Sequence, residues 1–207
     1  MYHANITTSA QRNATKPTLT PQPRSHEHKR QPVMTIQGVY LEPVSIHSDE
    51  FKDFGVRFRH KLVSLYEINY AELVRGYLGD ATEWDVTAYY HGTWHCGCVD
   101  QRIYNDQNSR INVHDWCSSM SCSTKGIMAS GHLRTKLTAL EGHFFSPVVD
   151  IAKSFAQSRR LLGAVSPHLS IFVCIARHIQ SSSKGAHYYY VQNDCEILPV
   201  FLAIVRV

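Results

Sequence analysis

The segment Tyr89-Tyr90-His91-Gly92-Thr93 places a histidine and a glycine at the end of an aromatic stretch. A glycine at the end of a strand lets a flat ligand lie against backbone amide and carbonyl groups, because no Cβ stands in the way. The neighbouring histidine supplies one directional hydrogen bond. Taken alone, such a segment more often marks a histidine beside a turn, so it becomes a candidate binding site only together with other features.

Four of the six cysteines form two close pairs in a polar stretch, 92–126, that is long enough to be functional. They are Cys96, Cys98, Cys117 and Cys122. Four thiolates can hold a tetrahedral zinc ion, and His95 or His114 could replace one of them. The one-residue gap in the first pair is tighter than the usual gap of about two to four residues. The spacing therefore favours four reduced thiols, or one disulfide in an oxidising compartment, over a zinc site. The other two cysteines, Cys174 and Cys195, lie in apolar stretches and are predicted core residues.

The net charge of the chain comes from its first 36 residues. The 21 basic and 17 acidic side chains give +4, and residues 1–36 alone hold five basic side chains and one acidic one. That segment also holds four of the eight prolines, which predicts a disordered, basic, Pro/Thr/Gln-rich leader. We expect the leader to make at most weak contact with nucleic acid or an acidic partner, whereas the neutral domain over 37–207 argues against a nucleic-acid ligand.

The composition indicates a folded globular domain. Apolar residues make up 43% of the chain and charged residues 18%. No apolar run approaches the roughly 20 residues of a membrane-spanning helix, and the start of the chain has no apolar core of the kind a secretory signal needs. We therefore expect an intracellular protein, cytoplasmic or nuclear, that has no membrane partner and keeps its thiols reduced or metal-bound.

The first part of the domain carries a strand pattern and then a long helical pattern. A β-branched, alternating stretch over 34–46 predicts a strand. Ser48 offers a helix cap, and the apolar residues after it fall at helical spacing. These residues are Phe54, Phe58, Leu62, Leu65, Ile68, Leu73 and Tyr77.

The later part of the domain predicts strands and one amphipathic helix. Three apolar or aromatic stretches are predicted to form strands, over 87–91, 169–179 and 187–207. A helix begins near Pro147, with Val148, Ile151, Ala152 and Phe155 on one face. Alternation along a strand predicts that Tyr188, Tyr189 and Tyr190 divide between both faces of a sheet and do not form a base-stacking platform. The order of elements favours an α+β domain with a mainly antiparallel sheet.

Over roughly residues 50–207 the chain resembles the catalytic domain of poly(ADP-ribose) polymerase-type (diphtheria-toxin-like) ADP-ribosyltransferases. That family has a helix, a strand ending in His-Gly-Thr, a Gly-Ile-Tyr-Phe-Ala pattern, a second tyrosine eleven residues after the first, and a closing strand. The matching stretches here are Val63–Tyr77, His91-Gly92-Thr93, Gly142–Ser146, Phe155 and Leu198–Leu202. The cysteine-containing insertion looks like that of fungal members.

The resemblance implies an α+β fold of split antiparallel β-sheets with flanking helices, and it implies NAD as co-substrate. His91 would bond the ribose hydroxyl on the nicotinamide side, and the backbone of Gly92 would hold the carboxamide. Thr93 would lie near the adenosine side of the cleft. Phe144 and Phe155 would stack on the two faces of the nicotinamide ring, since stacking needs an aromatic face and not a hydroxyl.

Three positions depart from the family pattern. Phe144 replaces a tyrosine, Ala152 stands near a position that is commonly serine, and Tyr188 falls where polymer-forming members have a glutamate. Glu196 lies eight residues further on, roughly 26 Å along a strand, and is a poor substitute. The resemblance therefore implies catalytic positions at His91, Phe144 and Tyr188, and mono-ADP-ribosyl transfer to an unknown protein acceptor without chain elongation.

Two alternatives stay open at this point. The first is a catalytically degenerate module on the same fold that binds NAD or ADP-ribose, and the enzyme is only slightly favoured over it. The second is an RNA 2′-phosphotransferase, which also uses NAD and would need arginines for the phosphate. Its clustered candidates are Arg134, Arg159 and Arg160, and the neutral domain argues against it.

Overall fold

The computed structural model describes residues 38–70, 85–105, 109–119, 121–130, 143–160, 166–183, 185–192 and 196–207. Several predicted features lie outside the described residues. They are the leader over 1–36, the helical positions Leu73 and Tyr77, and the residues Arg134, Gly142 and Cys195.

The larger of two sheets has six strands. They are β1 (Val39–Pro43), β2 (Leu62–Tyr70), β3 (Asp85–Thr93), β4 (Ile111–Asn112), β6 (His168–Ala176) and β9 (Ile197–Arg206). Their order across the sheet is β3-β6-β9-β2-β1-β4, and every neighbouring pair is antiparallel. The neighbouring strands β6 and β9, both inside the sheet, are rich in Ile, Val, Leu and Phe and are buried almost throughout, as expected of strands covered on both faces.

The smaller sheet lies beside β3. It contains β5 (His143–Phe145), β7 (Gln180–Ser181) and β8 (Tyr189–Val191), in the antiparallel order β5-β8-β7. One isolated bridge among the described residues joins the two sheets, between Tyr90 of β3 and Ser146 just after β5. The amide of Tyr90 donates to the carbonyl of Ser146 at 2.7 Å, and the return bond is 3.0 Å. This bridge therefore marks the place where the two sheets meet and beyond which they separate.

Four helices accompany the sheets in the described part of the chain. They are α1 (Asp49–Arg57), α2 (Cys98–Asn105), α3 (Ser123–Ser130) and α4 (Val149–Arg160). Consecutive residues of β6 belong alternately to two hydrophobic clusters, with Phe172 in one cluster and Ile171 and Val173 in the other. Because side chains alternate along a strand, the larger sheet has a core on each face. Helix α4 contributes Ala152 and Ala156 to the second cluster.

These elements confirm the predicted α+β class with antiparallel sheets. Residues 87–91 fall in β3, 169–176 fall in β6, and the stretch 187–207 divides into β8 and β9. The helix predicted near Pro147 is α4, which begins at Val149. Ser48 caps α1 as predicted, because its side chain accepts a hydrogen bond from the amide of Phe51 at 3.1 Å.

The long helix predicted from the apolar spacing is wrong over residues 58–70. The helix that the resemblance placed over Val63–Tyr77 is wrong over its described part, residues 63–70. Arg59 and His60 take positive φ values of 52° and 59°, which ends the helical path, and strand β2 begins at Leu62. Strand β2 lies between β1 and β9 and is buried on both faces, with Leu65 in one cluster and Tyr66 in the other. A strand buried on both faces has apolar residues at nearly every position, so it also satisfies a helical spacing.

No helix in the described ranges has the length and apolar character needed to cross a membrane.

Candidate functional site

His91 links the two sheets at the point where they separate. It lies on β3, and its Nδ1 is 2.8 Å from the carbonyl oxygen of Phe144 on β5. A carbonyl only accepts hydrogen bonds, so Nδ1 carries the proton and Nε2 keeps a lone pair. Burial lowers the pKa of His91 from 6.5 to about 4, against the opposing effect of the Phe144 carbonyl. The side chain is therefore a neutral imidazole with an acceptor nitrogen at neutral pH.

Gly92 presents its peptide groups to the split between the sheets. In an antiparallel strand, residues i and i+2 point their N–H and C=O toward the same edge. Tyr90 points both groups toward Ser146, so Gly92 points its own toward the same side, opposite Phe144. The pairing between β3 and β5 does not continue to Gly92 among the described residues, so this donor and this acceptor face the gap.

The other side of Gly92 packs against helix α4. An ideal Cβ on Gly92 would lie 1.8 Å from the carbonyl oxygen of Ala152. A side chain here would collide with helix backbone, which cannot move aside as a flexible side chain would. Gly92 thus sets how closely α4 approaches β3.

The two predicted stacking residues each pack against a tyrosine. The ring of Phe144 lies 6.0 Å from that of Tyr190, its partner in the β5–β8 register. The ring of Phe155, on α4 and 45% exposed, lies 5.8 Å from that of Tyr188 in an edge-on arrangement. Each predicted stacking residue therefore contacts a different tyrosine of the same segment.

The three consecutive tyrosines divide between two sides, as predicted. Tyr188 and Tyr190 contact the candidate stacking residues, whereas Tyr189 contacts Tyr89 at 6.4 Å between ring centroids. Tyr190 also donates its hydroxyl hydrogen to Gln180 at 2.7 Å. Sequence reasoning did not select Tyr190 as a site residue, although its two-residue spacing from Tyr188 was a usable signal.

Thr93 is buried one residue beyond Gly92 and lines a shallow pocket between β3, α4 and the start of β6. Next to it lies a network that the sequence did not suggest. Asp100 on α2 accepts a hydrogen bond from the Ser166 hydroxyl at 2.8 Å, and its carboxylate is 2.7 Å from Nδ1 of the buried His168. The hydroxyl of Ser166 donates to the carboxylate and not to an imidazole, so the three side chains are not arranged as an activated nucleophile.

Glu196, the carboxylate weighed as a substitute for Tyr188, is engaged at the start of β9. Its Oε1 lies 3.3 Å from Nδ1 of His178, and its carbonyl accepts a hydrogen bond from the amide of Arg177 at 2.8 Å. These contacts join it to residues that follow β6.

The four predicted cysteines come together in one cluster. Their sulfur atoms all lie within 4.8 Å of one another, and none is in a disulfide. Cys96 Sγ is 3.1 Å from Cys117 Sγ, and Cys98 Sγ is 3.6 Å from Cys122 Sγ. Three of the four are buried. The hydrogen bond between the second pair raises the pKa of Cys98 and lowers that of Cys122.

A glycine allows the two cysteines of the first pair, which are separated by one residue, to reach the same point. Gly97 has a φ of +89°, a left-handed conformation that glycine adopts without a steric penalty. The chain turns there, so that Cys96 and Cys98 both direct sulfur toward the same point. The one-residue spacing argued against Cys96 and Cys98 as ligands of the same metal ion. The glycine between them was the sequence signal that could have reversed this prediction.

Neither histidine considered beside the cysteines belongs to the cluster. Nδ1 of His95 accepts a hydrogen bond from the amide of Gly97 at 3.1 Å, and its Nε2 lies 3.0 Å from the carbonyl oxygen of His168. Both ring nitrogens of His95 are thus used, and burial lowers the pKa of this side chain. His114 is exposed in the helical turn Val113–Asp115.

No known protein-family model and no curated protein matches this chain.

Proposed function

We propose that this domain transfers a single ADP-ribose unit from NAD to a protein acceptor and releases nicotinamide. The observation that carries the proposal is the pair of peptide groups on Gly92 that face the split between the sheets. A primary carboxamide, such as that of nicotinamide, offers one acceptor and one donor side by side. The amide and the carbonyl of Gly92 are the complementary pair.

His91 is the second contact that the proposal uses. Its Nδ1 is bound to the Phe144 carbonyl at 2.8 Å, which fixes the orientation of the ring and leaves Nε2 as an acceptor. A ribose hydroxyl can donate a hydrogen bond to this nitrogen. Because the same bond joins β3 to β5, His91 and the aromatic residues of the smaller sheet are positioned together.

The aromatic residues supply surfaces for a flat ring. Phe144 and Phe155 carry no hydroxyl and each has one tyrosine as a neighbour. Stacking between aromatic rings contributes about 0.5–1.5 kcal/mol beyond area burial, which is enough to orient a bound nicotinamide.

In the proposed reaction, the bond between C1′ of the ribose and the pyridinium nitrogen breaks. Its electron pair goes to that nitrogen, so nicotinamide leaves as a neutral molecule and C1′ becomes oxocarbenium-like. A nucleophilic group of the acceptor then forms the new bond to C1′. A carboxylate does this without losing a proton, whereas a hydroxyl passes its proton to water. Holding the carboxamide and the ribose in place lowers the barrier by positioning, without a base on the enzyme.

The division of the molecule into two antiparallel sheets also supports the proposal. ADP-ribosyltransferase-like domains have split sheets, and here the split runs beside His91 and Gly92. Against this stands β2, because residues 63–70 form a strand where the resemblance placed a helix.

One observation favours a second candidate function, the binding of NAD or ADP-ribose without transfer. Tyr188 occupies the position where a carboxylate would orient the ribose and activate an acceptor hydroxyl, and its ring packs against Phe155. A phenol hydroxyl is a much weaker base than a carboxylate. Such a module would use the same contacts at Gly92 and His91.

The experiment is to incubate the full chain with NAD labelled in its adenylate part and to follow both nicotinamide release and label on protein. His91→Ala should abolish both signals, whereas His178→Ala, which removes an exposed histidine after β6, should leave them unchanged. Saturable NAD binding without nicotinamide release would favour the second function. Absence of NAD binding to the wild-type chain would rule out both.

A further inference from the structure

The convergence of four cysteines from three separate segments is not explained by any NAD-dependent function. Cys96 follows β3, Cys98 begins α2, Cys117 follows the turn Val113–Asp115, and Cys122 directly precedes α3. From Cys96, Cys117 lies 21 residues along the chain, so their 3.1 Å approach is a feature of the fold and not of local sequence.

We propose that Cys96, Cys98, Cys117 and Cys122 bind one structural zinc ion. Zinc in a Cys₄ site is tetrahedral with Zn–S bonds of about 2.3 Å, which places neighbouring sulfurs about 3.8 Å apart. The sulfur atoms here lie 3.1 Å and 3.6 Å apart in the two measured pairs and all within 4.8 Å. Four sulfurs at this spacing surround a single point.

The backbone is also arranged for this ligand set. The left-handed turn at Gly97 brings Cys96 and Cys98 to the same side. The amide of Ser119 donates to the sulfur of Cys117 at 3.3 Å, a bond that stabilises a thiolate more than a neutral thiol. Two disulfides would use the same four residues but would not require all four sulfurs to meet at one place.

The ligand set selects both the metal and its role. Thiolates are soft ligands that favour zinc over magnesium or calcium, and a closed set of four leaves no position for water or substrate. The ion is therefore structural and not catalytic. Binding requires all four thiols as thiolates, so up to four protons are released to solvent and nothing is oxidised or reduced.

The centre would hold together the segment that follows the candidate NAD site. Trp94, one residue beyond β3, accepts hydrogen bonds from both the amide and the hydroxyl of Thr124 on α3, each at 3.2 Å. These bonds already connect the end of β3 to α3, and a metal bound by Cys96 and Cys122 would connect the same two segments again. The proposal does not depend on the NAD function, because none of the four cysteines is among the residues proposed to contact NAD.

The test uses the full chain purified under reducing conditions without added metal. We expect elemental mass spectrometry to find one zinc ion per chain. Replacement by Co²⁺ should give the visible absorption bands of tetrahedral cobalt with thiolate ligands. Cys98→Ser and Cys122→Ser should lose the zinc and the cobalt spectrum, whereas Cys174→Ala, which changes a buried cysteine of β6 outside the cluster, should keep both.

A second variant covers the case in which the serine variants do not fold. Cys96→His keeps a metal ligand at the least buried position and should retain one zinc, with weaker sulfur-to-cobalt absorption. In the wild-type chain, a mercurial reagent should release one zinc as it titrates four thiols. A chain without stoichiometric zinc, one that holds iron instead, or one whose zinc stays bound when the four cysteines are changed would overturn the proposal.

Discussion

The carbonyl oxygen of Ala152 lies only 1.8 Å from the place where a Cβ on Gly92 would be. Helix α4 can therefore seat against β3 only because residue 92 is a glycine. The contact fixes the distance between the strand that carries His91 and the helix that carries Phe155. The absence of a side chain at residue 92 thus sets the spacing between β3 and α4.

The first prediction concerns this contact. Gly92→Ala should destabilise the fold by about 2 kcal/mol or more, because an extra methyl in a packed place forces the backbone of α4 to shift. The matched control is Gly55→Ala on α1, where a Cβ would meet nothing within 4 Å and the higher helix propensity should stabilise by up to about 1 kcal/mol. Denaturant unfolding of both variants measures the difference. A Gly92→Ala protein as stable as wild type would contradict the close packing.

A second prediction follows from the pKa of His91, lowered from 6.5 to about 4. Between these two values the unfolded chain binds a proton that the folded chain excludes. Stability should therefore fall as the pH drops from about 6.5 to about 4, by at most about 3 kcal/mol, and should not change for this reason below that range. Burial is the main cause of the lowered pKa of His91, and the nearby His143 lowers this pKa further.

The comparison protein for this prediction is His91→Gln, which cannot titrate. The difference between the unfolding free energies of the two proteins should vary across that pH range and be constant above it. NAD affinity should likewise be constant near neutral pH and weaken only toward about pH 4, where Nε2 becomes protonated and stops accepting. A transition in affinity near the ordinary histidine pKa of about 6.5 would show that His91 is not held neutral.

The third prediction separates ligand stacking from core packing. Phe155 is 45% exposed, so Phe155→Ala should change stability by less than a buried phenylalanine would. If its ring stacks on nicotinamide, NAD affinity should fall about three- to tenfold, the equivalent of about 0.5–1.5 kcal/mol. Val56→Ala on α1, at a residue 65% exposed, is the control and should leave affinity unchanged. Equal affinities in all three proteins would remove Phe155 from the site.

The fourth prediction concerns the network around Asp100. Asp100→Asn removes the charge that accepts from Ser166 and lies 2.7 Å from Nδ1 of His168. We expect a loss of about 1–3 kcal/mol of stability, because His168 is buried and keeps a weaker partner. Asp53→Asn, at an exposed position of α1, should stay within about 0.5 kcal/mol of wild type. Similar unfolding midpoints for the two variants would show that the network is not stabilising.

The features that the sequence predicted are those with a local signal. Strand β6 and strand β9 are long runs of β-branched and apolar residues, and Ser48 is a helix cap followed directly by two acidic residues. Strand β2 was missed because a strand buried on both faces carries apolar residues at both strand and helix spacing. Its assignment depends on β1 and β9, which are distant in sequence.

The site was predictable only in part, for a similar reason. His91, Gly92 and Phe144 occur in a recognisable order along the chain. They are brought together, however, by a contact between the two sheets. Asp100 and His168 lie 68 residues apart, and neither belongs to a recognisable sequence motif. No local sequence pattern therefore predicts their contact.

The bridge between Tyr90 and Ser146 joins two sheets that each carry part of the proposed NAD site. His91 and Gly92 belong to the larger sheet, whereas Phe144 belongs to the smaller sheet. The bond from His91 to the Phe144 carbonyl joins the same two sheets beside the bridge. The proposed binding site therefore exists only while the two sheets remain joined, so the stability of their interface is also the stability of the site.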